Sequence, residues 1–99
     1  MNISPVVGIL RVTLHVPASG SLKAKRQVTA SLLRRVRQRY QVAAAEVGDG
    51  DRWQLADLAV AYVSSDRRHA DEVLQRVLQY IEAEAEAVVS DVSTELVTL

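Results

Sequence analysis

No cysteine occurs among the 99 residues. That excludes a disulfide framework, a thiolate zinc site and a cysteine nucleophile. It also suits a reducing compartment, so a cytoplasmic location is expected. Phenylalanine is absent too, leaving Tyr40, Trp53, Tyr62 and Tyr80 as the aromatics. A sheet that reads single-stranded RNA stacks bases on exposed aromatics of its central strands. The first apolar stretch offers Arg11 and Thr13 there instead, and Tyr62 is expected to face the core, which disfavours that mode. No apolar run approaches the ~20 residues of a membrane span. The start, Met1-Asn2-Ile3-Ser4-Pro5, lacks the basic stretch of a secretory signal and reads as a short frayed lead-in. The two histidines, His15 and His69, have no metal-ligand spacing, so neither a metal nor a cofactor is expected. No nucleophile sits beside a base in the pattern, and the chain is expected not to be an enzyme. The carboxylates Glu46 and Asp57 flank a central turn, but nothing in the sequence builds a pocket around them.

What is present is enough apolar material for one core. Hydrophobic residues make up 48% of the chain, and a chain of this length buries roughly two-thirds of its unfolded surface. Residues 1–99 are read as one domain. Residues 6–16 alternate with period two, placing Val6, Gly8, Leu10, Val12, Leu14 and Val16 on one face of a strand. Pro17 to Ser21 interrupts it, and Ser21 is suited to cap the next segment. From Leu22 to Tyr40 the period becomes helical, with Leu22, Val28, Leu32, Leu33, Val36 and Tyr40 on one arc. Residues 41–47 read as a weaker strand, Gly48-Asp49-Gly50-Asp51 as a turn, and residues 55–63 as a strand. Ser65 or Asp66 caps a second helix over residues 67–84, and residues 88–99 close with a strand.

The order β-α-β-β-α-β is the split βαβ pattern. Right-handed crossovers put both helices on one face. The fold class is therefore α/β (α+β): a ferredoxin-like βαββαβ sandwich with a four-stranded antiparallel sheet. The helix-free face is expected to carry Val7, Ile9, Ala59, Ala61, Val63 and Val89 beside Arg11, Thr13, Asp57, Asp91 and Glu95. A half-apolar open face suggests a homo-oligomer, most simply a homodimer.

Net charge is zero, but the halves differ. Residues 1–50 carry eight Lys/Arg and two Asp/Glu, a net of +6; residues 51–99 carry four and ten, a net of −6. The first helix holds seven cations and no acid. At 100° per residue, Lys23, Arg26, Arg34 and Arg37 share a sector of about 80° beside the apolar arc. Such a stripe costs a helix some stability through like-charge repulsion, and it is what phosphate neutralisation needs. Lys23, Lys25 and Arg26 also neighbour the free N–H groups at the helix start after Ser19-Gly20-Ser21, where a phosphate could sit. The competing reading is a solvated face whose charge is answered by the acidic second half of the chain.

Several segments together resemble the YlxP-like family of small bacterial proteins. They are Val6-Val7-Gly8-Ile9-Leu10-Arg11, Ser21-Leu22-Lys23-Ala24-Lys25-Arg26, Ala45-Glu46-Val47-Gly48 with Trp53-Gln54, and Val63-Ser64-Ser65-Asp66. The resemblance runs over nearly the whole chain in order. It implies a ferredoxin-like fold and a genetic setting near translation initiation and ribosome-binding factor A. It puts Lys23, Lys25 and Arg26 first as functional residues, with Glu46, Trp53 and Gln54 second as partner contacts; Arg34 and Arg37 rest on the helical-wheel argument alone. The function expected is an accessory, non-enzymatic one: binding structured RNA or a ribosomal or pre-ribosomal particle through the basic first helix. The alternative is a homo-oligomeric protein-interaction or small-ligand-binding module.

Overall fold

The computed structural model describes residues 3–17, 20–48, 51–84 and 86–99. Met1, Asn2, Ser19 and the centre of the Gly48–Asp51 turn, on which parts of the sequence reading fall, lie outside them. The elements are β1 (Val6–His15), α1 (Leu22–Tyr40), β2 (Ala43–Val47), β3 (Leu55–Ser64), α2 (Arg67–Glu82) and β4 (Val88–Thr98). The sheet is antiparallel throughout, in the order β2-β3-β1-β4. The ferredoxin-like β-α-β-β-α-β arrangement is thus what the chain adopts.

The period-two pattern of β1 becomes an alternation of burial. Leu10, Val12 and Leu14 are fully buried and meet Leu58 and Val60 of β3, while Arg11 and Ile9 face away. Leu32, Leu33 and Val36 of α1 and Val73, Leu74, Val77 and Ile81 of α2 complete the core, with Ala44, Val89 and Leu96 packed at its margins. Burial of such side chains is the main favourable term, about 1.5–3 kcal/mol each. Gly8 lets α2 come close: a Cβ there would lie 2.8 Å from Leu74 Cδ1. Pro5, read as frayed lead-in, is tied to the other end of the chain, its carbonyl accepting from Leu99 N at 3.1 Å.

Ser21 caps α1 as expected, its Oγ accepting from Ala24 N at 3.0 Å. Asp66, not Ser65, caps α2, accepting from Arg68 N at 2.9 Å. Three boundaries and faces differ from the sequence reading. The second strand begins at Ala43 rather than residue 41, because Gln41 takes a left-handed conformation (φ 53°) and ends α1, its N–H donating to Arg37 O. The second helix ends at Glu82, with Ala83 as its cap. Val89 lies on the core side, not the open face. An irregularity in β4 makes Asp91 the partner of Thr13 but Val89 the partner of Leu14, so the intervening Ser90 is extra and the alternation slips by one. Such a bulge reverses the alternation between its two sides: Asp91 and the residues after it keep the expected faces, while Val89 turns inward and Val88 is the exposed one.

Candidate functional site

The seven cations of α1 meet three different fates. Lys25 is fully buried. Its Nζ donates to the carbonyls of Arg52 and Leu55, each at 2.8 Å, and lies 3.7 Å from Glu46 Oε2. It therefore reaches inward to the β2–β3 connection rather than outward to a ligand, and it is corrected from anion contact to internal clamp. A lysine without solvent must have its ammonium hydrogen-bonded and its charge answered, because desolvating a bare cation is costly. Glu46 supplies the charge and the two carbonyls supply acceptors. Glu46, expected as a partner contact, pairs with Leu58 on the helix side of β2 and serves this internal role instead.

The flank of α1 nearest α2 spends its cations inside the molecule. Arg35 Nη2 pairs with Glu84 at 2.7 Å, and its Nη1 donates to Tyr80 Oη at 3.3 Å. The hydrogen bond to Glu84 holds the Arg35 guanidinium above its ordinary pKa. Arg39 stacks over Tyr80 and Tyr40, with its guanidinium carbon 5.3 and 5.9 Å from the ring centroids. The two rings meet edge to face at 5.8 Å. Part of the charge imbalance between the halves is therefore settled by the fold itself.

The opposite flank, toward the β2 edge, stays outward. Lys23, Arg26, Arg34 and Arg37 are all exposed. Lys23 and Arg34 have no ion pair among the described residues. Arg37 donates to Ala44 O at 3.0 Å, which neutralises no charge. Arg26 pairs with Asp51 at 2.6 Å, an exposed contact that contributes little and yields readily to a stronger anion. The four span about 21 Å of helix axis.

Beside the start of this stripe lies the β2–β3 connection, held from several sides. Arg52 gives its carbonyl to Lys25 and its guanidinium to Asp57. Asp57 also accepts from Thr13 Oγ1 at 2.6 Å. The bond from Thr13, with a second from Arg52, lowers the Asp57 pKa against the opposing effect of burial. Gln54 adopts a left-handed φ of 65°, donates from Nε2 to Pro17 O at 3.1 Å and accepts from Val16 N at 2.8 Å. Its contacts thus fasten the connection to the end of β1. Trp53, between these anchored neighbours, is 62% exposed. Of the second group of expected residues, only Trp53 is offered outward.

The sequence reading missed Arg52, Asp51 and the Thr13–Asp57 pair. Thr13 and Asp57 are 44 positions apart and meet only through the β1–β3 register. A lone acid in an otherwise apolar strand was the available signal. Among the described residues, no cluster of His, Cys, Asp or Glu could hold a metal, and no helix is long and apolar enough to cross a membrane.

Comparison with known folds gives likeness of architecture. The designed protein Foldit4 aligns with a TM-score of 0.57 at 16% identity, covering 96% of this chain and 98% of that one. Rv0793 from Mycobacterium tuberculosis aligns at 0.54 with 19% identity, covering 94% and 92%. SnoaB from Streptomyces nogalater, described as a cofactor-independent oxygenase, aligns at 0.51 with 14% identity, covering 96% and 92%. At these identities the likeness speaks for the fold alone. At the level of sequence, the uncharacterized protein YlxP of Bacillus subtilis is 36% identical over 78 residues, covering 79% of this chain and 85% of that protein. Residues 7–94 match the family described as "Protein of unknown function (DUF503)", and the chain belongs to that YlxP-containing family.

Proposed function

We propose that the protein is a non-enzymatic, cytoplasmic accessory factor that binds structured RNA, as part of a ribosomal or pre-ribosomal particle, through the β2-side flank of α1. The observation that carries this reading is the outward pair Lys23 and Arg34. They lie on a helix without a single acid, and no carboxylate among the described residues answers either. Arg26 and Arg37 extend the same line. A row of cations on a rigid helix neutralises successive phosphates and releases their counterions, which favours association whatever the base sequence. Structured RNA presents such phosphates in fixed geometry and is recognised largely by shape. The start of the stripe also lies at the Ser21-capped end of α1, where the helix dipole adds positive potential.

The test is co-sedimentation of the purified protein with ribosomal subunits over a range of salt, beside a variant with Lys23, Arg26, Arg34 and Arg37 changed to Gln. Binding should vanish in the variant. In the wild type, log K should fall with log salt at a slope of about −3 or steeper if four phosphates are neutralised. A folded wild type that does not sediment with subunits at low salt, or binding indifferent to salt, would overturn the reading.

A further inference from the structure

Trp53 stands apart from the other aromatics. Tyr40 and Tyr80 meet edge to face beside Arg39, and Tyr62 meets the His69 ring edge to face at 5.7 Å. Trp53 is 62% exposed, and it sits in the β2–β3 connection between two residues whose backbone is tied down. The carbonyl of Arg52 accepts from the buried Lys25 at 2.8 Å. The carbonyl of Gln54 accepts from Val16 N at 2.8 Å, and the Gln54 side chain donates to Pro17 O. Those bonds fix the backbone on either side of the indole. Only its own two side-chain torsions remain to be ordered on binding, which is why an aromatic makes a contact at low entropic cost.

The connection adjoins the start of the α1 stripe. Arg26 pairs with Asp51 at 2.6 Å, and Trp53 follows two residues later, so its backbone lies within about 7 Å of that of Asp51. Lys23 precedes Arg26 by three residues on the same flank of the helix. The connection itself is poorly suited to phosphate. It carries Asp49 and Asp51, and its one cation, Arg52, gives its guanidinium to Asp57. It is equally unlike the centre of a protein–protein contact, which gathers apolar side chains inside a polar rim. From residue 48 to residue 54, Trp53 is the one large apolar side chain. A single indole set among polar neighbours, next to a row of cations, suits a ligand with flat faces, polar edges and a phosphate attached.

We infer that Trp53 is a stacking platform for one unpaired nucleobase of the RNA, whose neighbouring phosphates lie on Lys23 and Arg26. The inference rests on the RNA reading and narrows it: the preferred RNA is a duplex interrupted by an unpaired nucleotide, not a continuous one. An unpaired base can swing out and stack on an aromatic face, whereas the bases of an intact duplex are held in their own stack. Every base has such a face, so the contact selects an unpaired position rather than a base identity. This is a different arrangement from a sheet that stacks bases on its central strands. Here a connection at the end of the sheet takes the base and a helix takes the phosphates.

Titration of the full chain with two RNA duplexes tests the inference, one blunt and continuous, the other identical but for a single bulged nucleotide. Trp53 is the sole tryptophan, so its fluorescence reports this position alone. The bulged duplex should quench the emission and bind about tenfold more tightly than the continuous one, within the range that base–aromatic stacking supplies. Trp53→Ala, checked for unchanged far-ultraviolet circular dichroism, should erase that preference. Its salt slope should stay at the wild-type value, because no cation has been removed. Trp53→Phe should keep part of the preference. Salt-sensitive binding of both duplexes without a preference, without quenching, or with a preference that survives Trp53→Ala would overturn the stacking platform and leave the RNA reading standing. Binding of neither duplex at low salt would overturn both, since a row of available cations holds any duplex there.

Discussion

Along α1, the flank turned toward α2 and the flank turned toward the β2 edge carry the same kind of charge in different company. Arg35 and Arg39 meet a carboxylate and two tyrosine rings and are used up in joining the helices. Arg34, one residue from Arg35, has no such company among the described residues and stays exposed. Lys23 and Lys25 make the contrast sharper, since two positions separate a solvated ammonium from a fully buried one. A 200° turn of the helix accomplishes that. Counting basic residues therefore measures a helix's charge but not its availability. Availability depends on which neighbours the tertiary fold brings within reach.

Lys25→Met is the change expected to cost most. It leaves the Arg52 and Leu55 carbonyls without their donor and Glu46 without its counter-charge. Breaking such a buried arrangement costs about 3 kcal/mol or more, read as a lowered urea midpoint. Lys23→Met should stay within about 0.5 kcal/mol of wild type, as a surface change does. Equal costs for the two lysines would break the contrast between them. Arg35→Gln comes next. Loss of the partly exposed pair with Glu84 should cost about 1 kcal/mol, and high salt should narrow the gap to wild type. The smallest stability effect belongs to the double variant Lys23→Gln and Arg34→Gln, whose unfolding curve should overlay wild type to about 0.5 kcal/mol. If the RNA reading holds, that variant's effect appears elsewhere, as a salt slope shallower by about 0.7–0.9 for each phosphate contact removed.

The elements were legible where their signal is local. Period two across residues 6–16 and the helical arc from Leu22 to Tyr40 gave those spans, because burial on one side of a strand or helix imposes its own spacing on the sequence. Signals that depend on a partner were not legible. The extra residue in β4 that sends Val89 inward and Val88 outward shows only against the register of β1. The termination of α1 at Gln41 rests on a left-handed backbone that glutamine takes up less readily than glycine. Of the candidate site, the exposure of Lys23, Arg26, Arg34 and Arg37 matches the wheel drawn from sequence. Lys25 and Glu46 do not match their expected roles, because a charged side chain reads as surface until its counter-charge and carbonyls are located.

The order of elements, the apolar arcs that build the core and the acid-free first helix are all properties of single segments, written in the spacing and composition of each. The tertiary structure alone decided which cations remain available, how the β2–β3 connection is clamped, and which faces β4 presents. Those outcomes depend on atoms brought together from distant positions: Thr13 with Asp57, Arg35 with Glu84, and Lys25 with the carbonyls of Arg52 and Leu55. A hydrogen bond or ion pair acts only over a few ångströms, so no pattern along the chain announces it before the fold has closed the distance.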